Sequence, residues 1–481
     1  MKKRSLAILL LLALLATGCA GSGGNEQETN GSLSDESSQS ESTDEAESLE
    51  LPSGLDYGGY TFRILSRPGI RVNEVFSENT DDVLSDAVYK RNLAVSDLLN
   101  VTFKVYESSC DWESDALKPI LAGDDEYDAV ATHARYAFEY GYNNAALDWN
   151  NVENIDLTKS WWNQDAAKNL TIAGRLFQMD GAISYATIQS SCCVVFNKEL
   201  LDNYQIDYPY ELVEQGKWTF DRFYEMAGQF AQDLNNDGAM KFEDDQFGYM
   251  THPYVGPVQV LSSAGCRIVT VDNDGYPQLT LYSDRTVSVF DKYMGMLKEN
   301  FTYVVNDSED RGKALGEGRA AFIDVSIGAL SGALRATETD FGVIPWPKWD
   351  ETVDKYYANV DAGHSMWIIP TTVQDVPRTG AVLEAMAYYG KKFIIPAYYD
   401  VTLQNKYLRD EKSIDMLDYI YEGAVYDLAY YNSSYIGGNL ANPGYNLALD
   451  PNLTFSAFYA KNESATKKLI EKSMETYQTL D

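Results

Sequence analysis

The chain has three histidines, His133, His252 and His364, and each stands beside the end of a short apolar run rather than on a helix face. No two share a spacing such as HxxxH, so they do not read as a zinc site. Hydrogen bonding, to a bound molecule or to the fold itself, is the chemistry left to them. Arg67 and Arg135 offer planar forks that match hydroxyls and carboxylates, or serve in surface ion pairs. Asp324, Trp346, Asp361, His364 and Ser365 lie at or just beyond the ends of apolar runs between Gly318 and Thr372. Those runs are too short for solvent-facing helices and are punctuated by Pro and Gly, as buried strands are. Ligands of open α/β sheets collect at strand carboxyl ends. The pattern therefore predicts a ligand cleft between two packed bodies, with Gly318–Thr372 as their connection.

A second constellation is Asp233, Asn235 and Asp237 at loop positions one, three and five, Gly238 at six, Ala239 at seven and Asp244 at twelve. A hard cation needs several oxygens on a tight turn, and Gly permits that turn, so this is the pattern of an EF-hand-like Ca2+ loop. Position twelve is Asp rather than the longer Glu, and Gln246-Phe247-Gly248 does not open a helix, so an acidic turn is the other reading. A bound calcium would be structural and away from the cleft; no cofactor is required. Val271-Asp272-Asn273-Asp274-Gly275-Tyr276 reads as a hairpin turn. There is no Gly-rich phosphate loop, no GxSxG and no HExxH, and no carboxylate pair stands out among 72 acidic residues, so an enzyme is not indicated. Glycosidase-type hydrolysis is the alternative.

The elements that position these residues begin after an export signal. Lys2, Lys3 and Arg4 precede the apolar run Leu6–Ala16, which is too short for a permanent membrane span and suits a signal peptide over residues 1–18. Leu15-Ala16-Thr17-Gly18-Cys19 resembles a bacterial lipobox, which implies a lipid on Cys19 and an extracytoplasmic protein anchored to the cell membrane. Residues 19–50 are Gly, Ser, Thr, Asn and acidic residues without Lys or Arg; such a segment cannot offset its ordering entropy and is expected to be a disordered tether. The net charge of -34 argues against nucleic acid and against docking on anionic lipid. Thirty-five Tyr and 8 Trp exceed what a core alone needs, and their flat faces with polar tips suit amphipathic ligands such as sugars. Cys110, Cys192, Cys193 and Cys266 form no CxxC pair; Cys192 and Cys193 read as small buried strand residues, and no essential disulfide is expected.

Strands are expected at Tyr60–Leu65, Val101–Tyr106 and Tyr127–Ala131, with helices at Thr80–Leu99 and Trp112–Ala122 between them, the β-α-β-α-β start of a parallel sheet. Leu176–Met179, Cys192–Phe196 and Phe247–Met250 are expected to be strands of a second body. Lys198–Tyr204, Phe220–Leu234, Val258–Ser263, Asp284–Asn300, Gly380–Ile395, Ser413–Tyr421 and Asn462–Thr479 read as helices. The fold class is α/β, with two lobes, each a mostly parallel sheet covered by helices. Residues 51–178 are assigned to lobe 1, 179–315 to lobe 2, 316–350 to a return through lobe 1, and 351–481 to the rest of lobe 2 and the terminal helices.

Tyr127-Asp128-Ala129-Val130, Phe196-Asn197-Lys198-Glu199-Leu200, Lys217-Trp218-Thr219-Phe220, Gly318-Arg319-Ala320-Ala321-Phe322 and Phe341-Gly342-Val343-Ile344-Pro345-Trp346-Pro347, in that order, give the chain a family resemblance. It resembles the lipid-anchored solute-binding proteins of bacterial carbohydrate ATP-binding-cassette (ABC) importers, of the maltodextrin-binding-like kind. The resemblance implies a two-lobe periplasmic-binding-protein-like fold of type II, hinged by crossing segments, a carbohydrate clamped between the lobes, and delivery to a membrane permease by a monomer. It implies binding roles for His133, Arg135, Trp161, Trp162, Tyr254 and Asp324. Asp324-Val325-Ser326-Ile327 stands where maltodextrin proteins carry a Trp-rich segment, so the sugar is not read from the sequence.

Overall fold

The computed structural model describes residues 47–78, 82–111, 115–306, 309–404 and 410–480. The signal peptide, Cys19 and nearly all of the tether lie outside these residues. Ser48–Asp481 forms one compact unit.

The strands in chain order are β1 (Tyr60–Ser66), β2 (Val101–Glu107), β3 (Ala129–His133), β4 (Cys192–Asn197), β5 (Phe247–Thr251), β6 (Val269–Val271), β7 (Pro277–Leu279), β8 (Thr302–Val304), β9 (Ala320–Ser326), β10 (Phe341–Pro345), β11 (Ala358–Asn359), β12 (Ser365–Ile368) and β13 (Ala424–Val425). Two sheets carry the lobes. The first has the order β12-β3-β1-β2, with β1, β2 and β3 parallel and β12 antiparallel to β3. The second has the order β10-β4-β9-β5-β8, parallel through β9, β5 and β8 and antiparallel at β4 and β10. This is a mixed α/β architecture in which each sheet is built on a parallel set. β3, β4, β5 and β10 are buried along their whole length, which is why they read as continuous apolar runs rather than alternating ones.

Local sequence accounts for the motifs. Asn197 ends β4 and its Oδ1 accepts the Leu200 N–H at 2.9 Å, capping the helix Lys198–Asn203. Its Nδ2 donates to the Leu315 carbonyl at 2.7 Å, so one side chain joins the strand, the helix it caps and the last turn of the helix Arg311–Gly316. Thr219 caps Phe220–Ala227, and a cap of this kind stabilises by about 1 kcal/mol. In β10, Gly342 faces the Phe196 ring and the Tyr210 hydroxyl closely enough that a Cβ would collide with both. The Asp272–Tyr276 turn joins β6 to β7 as the expected hairpin, with Gly275 at φ 82°.

The expected return of residues 316–350 to the first lobe is not what the chain does. β9 and β10 flank β4 in the second sheet, in registers that include Val194↔Asp324 and Val194↔Ile344. Strands buried on both faces announce burial but not which sheet they join. The return comes one segment later: β12 pairs with β3, setting Ser365 opposite His133. The helix Val376–Tyr389 follows it and packs on the first-lobe helix Val83–Leu99, so residues 351–481 do not all belong to the second lobe. Leu176–Met179 is not a strand; Met179 alone bridges to Trp367. The helix Phe455–Gln478 touches both lobes, with Tyr477 stacked on Phe138 (5.3 Å) near one end and Phe455 on Phe290 (4.6 Å) at the other.

Candidate functional site

The carboxyl ends of the first-lobe strands bring Arg67, His133 and Arg135 together. Arg67 follows β1; its Nε and Nη2 donate to the two oxygens of Asp111 at 2.9 and 3.0 Å, and its Nη1 donates to the Gly363 carbonyl at 2.6 Å. His133 ends β3, and its Nδ1 accepts the Arg135 N–H at 3.3 Å, which leaves the ring proton on Nε2. Burial, with the adjoining Arg67 and Arg135 charges, lowers its pKa to about 3, so the imidazole is neutral at physiological pH.

The segment that precedes β12 completes this wall. Asp361 Oδ1 accepts the Gly363 N–H at 2.7 Å and its Oδ2 accepts the Tyr430 hydroxyl at 3.0 Å. Its backbone N–H donates to the Ser190 carbonyl at 2.9 Å, while the Ile327 N–H, just past β9, donates to the Ser191 carbonyl at 3.0 Å. Asp361 therefore sits where the two crossings of residues 176–191 and 346–364 run side by side. Tyr430 is buried, and burial together with Asp361 pushes its phenol well above the usual range, so it remains protonated. It receives Arg135 Nη2 at 3.2 Å, and the Arg135 guanidinium lies 5.1 Å from its ring centroid.

The second lobe brings Tyr254 within electrostatic reach of Arg135, with His252 beside it, and Asp324 and Arg311 belong to the same lobe. Asp324, in β9, is fully buried: its Oδ2 accepts Tyr249 at 3.0 Å and Thr251 at 2.6 Å, and its Oδ1 is paired with Arg311. Gly256 passes so close that any side chain there would strike the Asp324 carboxylate. Asp324 thus serves to hold Arg311, which is partly exposed. Cys192, opposite Ser326 in the sheet, joins the two halves electrostatically: burial, then Asp324 and Asp361, raise its thiol pKa. Tyr254 is 40% exposed and forms a ring stack with Tyr445 (4.1 Å, 25°) and His252 (5.7 Å, 20°).

Of the residues expected from sequence, Arg67, His133, Arg135, Tyr254, Asp361 and His364 gather around this space, although His364 is wholly buried and bonds through Nδ1 to the Asp361 carbonyl at 2.8 Å. Asp324 lies one layer beneath it. Three expectations are corrected. Trp161 and Trp162 are buried, and their Nε1 atoms donate to the two oxygens of Glu384 at 3.0 and 2.8 Å, so they are fixed as structure. Trp346 is fully buried among Phe223, Tyr249 and Tyr293, because β10 continues into the second-lobe core instead of ending at the cleft. Sequence reasoning missed Arg311, Tyr430 and Tyr445, which come from helices with no strand-end signature.

In the acidic loop the Gly238, Asp237 and Ala239 N–H groups donate to Asp233, Asn235 and Asp237 oxygens at 2.8 to 2.9 Å, with Asn236 and Gly238 at φ 59° and 84°. The backbone fits a cation loop. Of the side chains, Asn235 Nδ2 reaches Asp244 Oδ2 at 3.4 Å, but Lys241 pairs with Asp237, and among the described residues no three His, Cys, Asp or Glu side chains gather to hold a metal.

No family model matches the chain, and no curated protein matches it. Solved structures do. A cyclo/maltodextrin-binding protein complexed with maltotetraose is similar over 86% of this chain and 97% of its own, with a TM-score of 0.56 and 14% identity. An ABC substrate-binding protein from Listeria monocytogenes in complex with cycloalternan covers 88% and 99%, with a TM-score of 0.52 and 12% identity. UgpB from Mycobacterium tuberculosis in complex with glycerophosphocholine covers 87% and 99%, with a TM-score of 0.55 and 13% identity. Among the described residues no helix is long and apolar enough to cross a membrane. The chain has the two-lobe fold of the substrate-binding proteins of ABC transporters.

Proposed function

We propose that this protein captures a carbohydrate, an oligosaccharide, between its two lobes and delivers it to the permease of an ABC importer, working as a monomer held to the outer face of the cell membrane through a lipid on Cys19. The observation that carries this reading is the strand-end space itself. Arginine, histidine and carboxylate groups from β1, β3 and the β12 approach cluster together, and Arg135 among them is within electrostatic reach of Tyr254 in the His252–Tyr254–Tyr445 ring stack of the other lobe. Rings can cover the C–H faces of a sugar, and the charged groups can bond its hydroxyls, each of which costs roughly 1–3 kcal/mol if buried unmatched. Closure follows from binding because only the closed form touches the ligand from both lobes.

The test is a thermal-shift screen of the protein against mono- and oligosaccharides, with each hit checked for recovery of intact sugar. A ligand at a hundredfold excess over Kd adds about 2.7 kcal/mol of stability. Turnover of the sugar would replace this reading with a surface-anchored carbohydrate-active enzyme, and silence would move the search to peptides and other solutes. We also propose that the acidic loop takes up a structural calcium ion on Asp233, Asn235, Asp237, the Ala239 carbonyl and Asp244, with Lys241 leaving Asp237 as the ion enters.

A further inference from the structure

Four arginines, Arg67, Arg71, Arg135 and Arg311, contact strand ends or the segments that cross between the lobes, and three of them are neutralised by direct contact. Arg67 is gripped by both oxygens of Asp111 and spends its remaining Nη on the Gly363 carbonyl. Arg71 pairs with Glu74 at 3.0 Å and reaches Gln189 at 3.3 Å. Arg311 is paired with Asp324. Arg135 differs. Among the described residues its side chain forms no ion pair with a carboxylate; its hydrogen bond goes to the Tyr430 hydroxyl, which in turn bonds Asp361, and the Asp361 charge acts on it without direct contact. Arg135 is nonetheless kept charged: burial works against the charge, but Tyr430 and Asp361 outweigh it and raise its pKa. The guanidinium lies 5.1 Å from the Tyr430 ring centroid, its Nε and Nη1 making no hydrogen bond among the described residues, near neutral His133 and within electrostatic reach of Tyr254.

A cation in this position is tolerable while water reaches it. Once a ligand closes over it, the water is lost and the charge must be met by something else, since a desolvated, unpaired charge is far costlier than an unpaired hydroxyl. A sugar hydroxyl supplies a dipole; an oxyanion supplies the opposite charge in the planar two-point geometry the guanidinium fork prefers, through bonds about twice as strong as neutral ones. Resting on the carbohydrate reading above, we infer that the ligand is an anionic saccharide whose carboxylate or phosphate is received by Arg135, while its ring lies toward Tyr254. The chain's charge of -34 does not forbid this, because at physiological salt charges beyond about 8 Å are largely screened and Arg135 acts at contact.

The test is isothermal titration of the full chain with matched pairs: galacturonate oligosaccharides against galactose oligosaccharides, and glucose 6-phosphate against glucose. The charged member is expected to bind at least about tenfold tighter than its neutral counterpart. Arg135→Gln is expected to erase that preference, and Arg135→Lys to restore part of it by returning the charge without the fork. A preference confined to one pair names the anion as carboxylate or as phosphate. Tight binding of a neutral sugar that Arg135→Gln leaves unchanged would overturn the inference and leave the transport reading standing. No binding by any saccharide, charged or neutral, would overturn both. Should Arg135→Gln fail to fold, Tyr430→Phe, which removes the hydroxyl but keeps the ring, is expected to leave the charged-over-neutral preference in place; its loss there would assign the preference to Asp361 and Tyr430 and count against Arg135.

Discussion

Asp180 Oδ2 stands 3.0 Å from His364 Nε2, and both side chains are completely buried. Asp180 also accepts the Gly181 N–H at 2.7 Å, the Tyr426 hydroxyl at 2.7 Å and the Thr187 hydroxyl. One carboxylate thus ties the crossing of residues 176–191 to the start of β12 and to Tyr426 just after β13. Burial pushes the Asp180 pKa up, but His364, Thr187 and Tyr426 outweigh it and hold it below 3.8. A depressed carboxylate contributes stability that is complete above its unfolded pKa and is lost as pH falls through the folded one. Asp180→Asn is therefore expected to cost about 3–5 kcal/mol at pH 7 in urea denaturation, and to flatten the acid limb of the stability curve below about pH 4. A loss under about 1 kcal/mol would mean that this cluster does not hold the hinge.

Glu384 carries the opposite sign. Burial raises its pKa to about 7, even though Trp162, the Asp156 N–H and Trp161 all donate to its carboxyl. With an unfolded value of 4.5, stability is complete below that pH and falls as pH rises toward 7, by on the order of 3 kcal/mol. Glu384→Gln keeps an acceptor without the charge, so its advantage over the native chain should grow between pH 5 and pH 8. Guanidinium midpoints at the two pH values decide it; parallel shifts would show that Glu384 does not titrate in this range.

The two-lobe α/β plan was legible because short apolar runs bounded by Gly and Pro can hardly be anything but covered strands. The sheet that each strand joins was not, because β9 and β10 carry the same apolar signature whichever sheet receives them. The site followed the same division. His133 and Arg135 were readable as a polar strand end, and Asp361 as a carboxylate at or just beyond the end of an apolar run. Trp161 and Trp162 were misplaced because the family resemblance that implied them does not fix their neighbours, and Trp346 because an aromatic residue near a strand end fits a cleft and a core equally well. Only the neighbours, Glu384 for the first two and Phe223, Tyr249 and Tyr293 for the third, decide between them. Arg311 and Tyr430 owe their places to side-chain reach from helices, which no spacing in the sequence encodes.

Trp346 and Tyr254 should separate stability from binding. Trp346 is fully buried, so Trp346→Ala is expected to cost about 3–5 kcal/mol of stability. Trp346→Phe, which still folds around Phe223, should leave sugar affinity within about threefold, roughly 0.6 kcal/mol. Tyr254 is 40% exposed, and Tyr254→Ala should leave Tm unchanged while weakening the sugar tenfold or more, at least about 1.4 kcal/mol. Calorimetry on the paired variants reads both quantities. Equal affinity in Tyr254→Ala and the native chain would remove the ring stack from the binding surface.

The acidic loop supplies the last prediction. With Lys241 on Asp237, the loop already holds one positive charge where a calcium ion would sit, and ion and lysine must compete for the same oxygen. Added calcium should raise Tm in the native chain, and a chelator should reverse the rise. Asp237→Ala should abolish the response, since it removes both the carboxylate and the turn it shares with the Ala239 N–H. Lys241→Ala should strengthen it, because the competing ammonium is gone while the Asp233 and Asn235 turns remain. If millimolar calcium moves neither the native chain nor Lys241→Ala, the loop is an acidic turn stabilised by its own lysine.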